Sequence, residues 1–218
     1  MYDKETHVSE RAYVDGTIRS YLDKLASESP EPGGGSVAAL VASLGAGLVT
    51  MVTSLTLGKE KYAAVQDDMA GISERSEKLR ARLQDLVSLD AVAYAEVAAA
   101  MKLPKDDDRQ KAERQTKLQA AMKGAVEVPL EIAEAAVEVA RLSLPAAEKG
   151  NAYAVSDAAV AAVLADAAAH SAALNVKINV SWIEDKEFAR DRWARIEAAL
   201  SETGRLRDVV LAFTYSKL

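Results

Sequence analysis

Residues 37–58 carry no charged side chain across 22 positions. A run of that length either crosses a bilayer as a helix or lies at the centre of a helical assembly, covered on all sides. Its composition favours the second outcome. Ala, Gly, Ser and Thr interrupt the larger aliphatic residues throughout, and small side chains let neighbouring helices approach closely. The first thirteen residues are charged and hold no apolar stretch of the kind a secretory leader needs. The expectation is a buried core helix in a cytoplasmic protein, with no membrane as partner.

The rest of the chain has to supply the cover, and its periodicity is helical. Leu79, Leu83, Leu86, Ala93, Val97 and Ala100 follow one another at steps of three, four or seven. That is the spacing of one helical face. Leu118, Met122, Ala125, Ile132, Val139 and Leu142 repeat the pattern further on. Half of the residues are apolar but only 5% are aromatic, and alanine is abundant, which suits helix packing and offers strands little to pair with. No alternating strand pattern and no internal repeat is visible. The predicted fold is all-α, one domain over residues 1–218, built as a bundle of long, partly kinked helices.

Punctuation residues divide the bundle. A first amphipathic helix is expected over residues 9–28, with Ile18, Tyr21, Leu22 and Leu25 on one side. Pro30, Pro32 and the triplet Gly33-Gly34-Gly35 end it, and Ser36 is placed to cap the apolar helix. Gly58 and Lys59 mark that helix's end. A long helical segment covers 62–103 until Pro104 breaks it. Asp106, Asp107 and Asp108 suit the positive N-terminus of the next helix, which runs to about Lys149 with a kink at Pro129. Gly150-Asn151 is a turn, Ser156-Asp157 opens a further helix to about Trp182, and the last two helices are expected over 184–201 and 204–217.

Composition excludes several chemistries. Without cysteine the chain has no thiol nucleophile, disulfide or thiolate metal site, and two histidines, His7 and His170, do not make a histidine-rich one. The net charge of −6 lacks the basic clustering of a nucleic-acid-binding surface. The residues that remain suggestive are polar groups in unusual places. Three consecutive glycines at a helix start allow close backbone approach to a ligand and present N–H groups to an anion, or simply form a tight connection. Asp90 fills the gap in the apolar stripe of its helix, with Tyr94 one turn on. A carboxylate there is either tied to a neighbouring helix or tuned as an acid/base. Asp157 is a helix cap or a catalytic partner. Asp166 and His170 form an i, i+4 pair that reads as a base with its orienter, or as an interhelical ion pair. Asn175 and Asn179 share a face and can bond a polar heterocycle. Lys59, Lys61, Lys102 and Lys105 flank the two breaks and can meet a ligand carboxylate.

Three blocks of residues carry a resemblance. The first is Leu25-Ala26-Ser27 with Pro32-Gly33-Gly34-Gly35-Ser36-Val37-Ala38-Ala39-Leu40, Thr56-Leu57-Gly58-Lys59 and Lys61-Tyr62. The second is Asp90, Ala93 and Tyr94 with Leu103-Pro104-Lys105. The third is Gly150-Asn151, Ser156-Asp157 and Asn175-Val176-Lys177-Ile178-Asn179. Their order and spacing resemble the family of formimidoyltetrahydrofolate cyclodeaminases and methenyltetrahydrofolate cyclohydrolases. One departure is the apolar Ala152-Tyr153-Ala154-Val155, where the family pattern is more polar. The resemblance implies an all-helical homodimer with a tetrahydrofolate derivative as substrate, no metal, and no cofactor beyond the folate. It implies either hydrolysis of the methenyl bridge to 10-formyltetrahydrofolate or ring closure of formimidoyltetrahydrofolate with loss of ammonia. A chain of this length favours the hydrolysis. A folate-binding helical dimer without turnover is the alternative of another class. The expected catalytic groups are Asp90 and Asp157. The expected substrate contacts are Gly33, Gly34, Gly35, Ser36, Lys59, Lys61, Tyr62, Tyr94, Asn175 and Asn179. Among them, Tyr62 or Tyr94 would stack on the pterin, and Lys59 or Lys61 would meet the glutamate tail.

Overall fold

A computed structural model describes residues 13–218. The expected helical residues 9–12 and His7 lie outside the described residues. Among the described residues six α-helices follow one another: α1 (Ile18–Leu25), α2 (Gly34–Ser54), α3 (Gln66–Met101), α4 (Asp108–Lys149), α5 (Val155–Ser181) and α6 (Lys186–Tyr215). No strand occurs among the described residues. The uncharged run is α2, and it packs against α3, α4 and α5. Its inner positions Ala38, Ala39, Ala42, Ala46, Val49 and Val52 are fully buried. Alanine on both sides of the seam with α5, where Ala158, Ala161, Ala162, Ala165, Ala168 and Ala169 are buried, sets a short interhelical distance. The uncharged run is not unique in the structure: residues 152–181, around α5, are also long and apolar enough to span a bilayer. Both are instead core helices of the bundle, flanked by the charged α3, α4 and α6.

Several expected boundaries change. The first helix is shorter, because Thr17 caps α1 by accepting from Ser20 N at 3.0 Å. Tyr21 is buried there, whereas Ile18 and Leu22 are exposed. Ser36 does not cap α2. Gly33 occupies that position without a side-chain cap, and Ser36 sits inside the first turn. Asp107 does cap α4, accepting from Gln110 N at 2.8 Å.

The C-terminal pair of helices is one helix. Gly204 does not break α6, because the buried stripe Ile196, Ala199, Thr203, Leu206 and Val210 passes through it at steps of three and four. Tertiary burial outweighs the cost of about 1 kcal/mol for glycine inside a helix.

Helix α4 also continues through Pro129 and Pro145. A proline removes the N–H that would bond the carbonyl four residues back, here Ala125 O. Asn179 on α5 replaces that donor, with Nδ2 at 2.7 Å from Ala125 O. An orphaned backbone group is thereby satisfied across the α4–α5 interface, which is what a buried proline inside a helix requires.

Candidate active site

The expected site residues fall into two groups at opposite ends of α2. At its N-terminal end, Asp90 on α3 faces the glycine-rich turn. Ser36 N donates to Asp90 Oδ2 at 3.0 Å. Asp90 therefore caps α2 from a neighbouring helix, supplying the acceptor that Gly33 lacks. The close approach explains Gly35. A Cβ there would lie 2.0 Å from Asp90 Oδ1 and 2.5 Å from Cγ, so only glycine leaves room for the carboxylate. The Ser36 hydroxyl is buried against Tyr21, with the two oxygens 3.1 Å apart.

Two forces act on the Asp90 carboxyl. Burial raises its pKa above the ordinary 3.8, and the bond from Ser36 N–H pulls in the opposite direction. Burial prevails, so the group holds its proton to higher pH than an exposed aspartate. Burial also raises Tyr21, opposed by the Ser36 contact and reinforced by the Asp90 charge.

Asp90 opens into a cavity of about 380 Å³. Gly33, Gly34, Asn175 and Asn179 form its polar wall, and Tyr94, Met122, Ile178 and Trp182 form its apolar wall. The side-chain amide of Asn175 lies against Gly34, 3.5 Å from where a Cβ would project. Tyr94, Ile178 and Trp182 are exposed, which leaves flat apolar surface beside a carboxyl of raised pKa. That combination suits a planar, polar-edged ligand. Among the described residues, no cluster of three or more acidic or histidine side chains is arranged to hold a metal. Glu31 and Trp182 also line this cavity and escaped the sequence reading. Trp182 looked like a helix end, and Glu31 carried no periodic signal.

The second group sits where α2 ends. Gly58 adopts φ 73°, the left-handed conformation that favours glycine after a helix. Tyr62 OH donates to Asn151 Oδ1 at 3.4 Å and accepts from Ala152 N at 3.1 Å. Asn151 N donates to Thr56 Oγ1 at 2.8 Å, and its Nδ2 to Leu55 O at 3.0 Å. These bonds tie the 56–62 segment to the start of α5. Lys59 is exposed, Lys61 lies 5.4 Å from the Tyr62 ring centre, and Asp157 sits in the first turn of α5. Asp157 is 18 residues from Asn175, about 27 Å along a helix axis. Within one chain Asp157, Lys59, Lys61 and Tyr62 are thus far from Asp90.

Asp166 takes the structural role. It is buried, accepts from Thr203 Oγ1 at 3.0 Å and pairs with Arg207, so it joins α5 to α6. His170 is exposed, 3.8 Å from Asp166. Lys102 caps the C-terminus of α3, and Lys105 is exposed in the turn that follows.

Residues 17–198 match the family described as formiminotransferase-cyclodeaminase. The chain belongs to that family. A methenyltetrahydrofolate cyclohydrolase of Methylorubrum extorquens is 43% identical over 202 residues, covering 93% of this chain and 97% of that protein. The formimidoyltransferase-cyclodeaminase of Rattus norvegicus is 33% identical over the same share of this chain but only 37% of its own length. The crystal structure of a formiminotetrahydrofolate cyclodeaminase from Thermotoga maritima superposes with a TM-score of 0.84 at 28% identity, covering 92% of this chain and 96% of that one. The cyclodeaminase-family fold thus agrees with the all-α bundle expected from the periodicity.

Proposed function

We propose that this protein hydrolyses 5,10-methenyltetrahydrofolate to 10-formyltetrahydrofolate. The reading is carried by the near full-length similarity to a cyclohydrolase together with a buried carboxyl of raised pKa at the mouth of a cavity with flat apolar walls. The methenyl bridge is a cationic amidinium, electrophilic at its carbon. The Asp90 carboxylate favours that charge and takes a proton from the attacking water. The oxygen adds to the bridge carbon, and the same carboxyl returns its proton to N5. The C–N5 bond then breaks as the hydroxyl gives its remaining proton to the freed carboxylate, which leaves the formyl group on N10. Asn175 and Asn179 offer amide groups to the pterin edge, and Tyr94 and Trp182 offer faces to its plane. No cofactor beyond the folate takes part.

The cyclodeaminase reaction is a second reading, favoured by the likeness to the Thermotoga protein. There N10 attacks the formimidoyl carbon, and ammonia leaves with a proton from the same carboxyl. Loss of methenyltetrahydrofolate absorbance on adding purified protein, against a buffer blank, tests the leading reading. Acceleration with 10-formyltetrahydrofolate as product is expected. No acceleration, with ammonia released from formimidoyltetrahydrofolate, assigns the second. Folate binding without either turnover leaves a binding protein.

The protein works as a soluble cytoplasmic homodimer in this proposal. Leu44 and Met51 on α2, Leu55 just past its end, Val160 and Leu174 on α5 and Tyr153 just before its start are exposed. They form an apolar face on two adjacent core helices that suits an isologous contact. A two-fold axis across the middle of that face sets the Asp90 end of one protomer beside the Lys59–Tyr62 end of its partner.

A further inference from the structure

The Asp90 cavity is one chamber of a longer cleft. A second cavity of about 530 Å³ shares Met101, Met122 and Trp182 with it. Beyond that shared apolar neck the lining changes to Arg114, Gln115, Gln119, Glu184 and Lys186.

The charge of this second chamber runs against that of the chain. Arg114 and Lys186 face one carboxylate, Glu184, which already accepts from Gln115 Nε2 at 2.6 Å. The balance is positive in a protein of net charge −6. Both cations are held by backbone carbonyls. Arg114 Nε and Nη2 donate to Met101 O at 3.2 and 3.1 Å, and Lys186 Nζ donates to Ile183 O at 2.8 Å. Those bonds fix the positions of the two heads while engaging only some of their donors, since a guanidinium carries five N–H groups and an ammonium three. Gln119 is likewise fixed, donating to Trp182 O at 3.0 Å and accepting from Glu184 N at 2.9 Å. The result is a preorganised anion end, joined through a neck with an exposed indole to the chamber that holds Asp90.

We infer that the second chamber is the subsite for the aminobenzoyl-glutamate arm of the folate, with the aryl ring at Trp182 and Met101 and a glutamate carboxylate at Arg114 and Lys186. The inference rests on the proposed folate chemistry and deepens it. It assigns the tail to cations carried by the Asp90 chain itself at the cleft's second chamber, rather than to Lys59 and Lys61, which lie at the far end of α2 in the same chain and could approach only from the partner.

The test is a binding measurement on the full chain, independent of turnover. Titration calorimetry compares 5-formyltetrahydrofolate with an analogue in which p-toluidine replaces the aminobenzoyl-glutamate. The wild-type protein binds the complete folate tighter by about tenfold or more, the worth of one charge-assisted hydrogen bond. Arg114→Gln and Lys186→Gln each remove most of that preference and leave the affinity for the truncated analogue unchanged. In the wild-type protein, added salt weakens only the complete ligand, a readout that needs no variant to fold. Equal weakening of both ligands in the variants overturns the inference, as does an unaltered preference. So does loss of the preference in Lys59→Gln with Arg114→Gln unaffected. Turnover without a glutamate preference refutes this subsite and leaves the reaction standing. A glutamate preference without turnover refutes the reaction and leaves the subsite.

Discussion

Replacing Gly35 by alanine separates the position of the Asp90 carboxyl from its identity. The added Cβ would lie 2.0 Å from Asp90 Oδ1 and 2.8 Å from Oδ2, so the carboxylate has to retreat by roughly 1 Å or more to reach ordinary contact. The obstacle is the end of a flexible side chain rather than backbone, so the fold can yield locally. The retreat breaks the 3.0 Å bond from Ser36 N. A hydrogen bond to a charged group contributes about 1.5–3 kcal/mol. Alanine in place of glycine inside the first turn of α2 returns about 0.5–1 kcal/mol. The net loss of about 1–2 kcal/mol lowers Tm by roughly 2–8 °C for a chain of this size and leaves the protein folded. Turnover of methenyltetrahydrofolate suffers more, because a misplacement of about 1 Å costs on the order of 100-fold. The assay is kcat from the absorbance decay, beside a thermal melt. The double variant Gly35→Ala/Asp90→Asn should be no slower than Asp90→Asn, since both changes disable one group. Wild-type turnover in Gly35→Ala, or additive losses in the double variant, refutes the argument that Gly35 exists to seat a catalytic Asp90.

Asp90→Asn should cost about 10²- to 10⁴-fold in kcat with circular dichroism unchanged. Because burial raises the Asp90 pKa, the native state holds this proton more tightly than the unfolded chain does. Wild-type stability relative to the Asn variant therefore falls as pH rises from about 3.8 to the raised native value and is level above it, which melts across that range will check. The pH profile of kcat should fall off on its acidic side at a pH higher than an exposed aspartate would give, because burial raises the Asp90 pKa. Arg207→Met strands the buried Asp166 carboxylate and should lower Tm with kcat retained; a melt and a rate measurement read this out. Leu44→Asp, on the exposed face of α2, should convert the proposed dimer to monomer in sedimentation.

Asp90 itself can be picked out from the sequence because a polar residue interrupts an otherwise regular stripe. What the carboxylate does there cannot. Its partner Ser36 is 54 residues away, and the requirement for glycine at position 35 arises from a contact between two helices rather than from the conformation of the turn. Asn179 shows the same limit. Its side chain donates to the carbonyl left open by Pro129, a role that depends on α4 and α5 meeting at that register.

The linear pattern determined the helical class and the core position of α2, because apolar spacing and small side chains act locally and along one axis; that one side of α2, at Leu44 and Met51, stays uncovered within the chain was not legible there. The family resemblance was also legible there, in blocks whose order survives without any knowledge of the fold. The three-dimensional arrangement decided that α6 runs through Gly204, since the reward for continuing the helix is burial against α5 and α4. It also decided which polar residues share a site. Asp90, Asn175 and Asn179 converge because α2 and α5 run antiparallel, and the same arrangement carries Lys59, Tyr62 and Asp157 to the opposite end. Distances between helices depend on how side chains interlock across them, and no spacing along the chain records that.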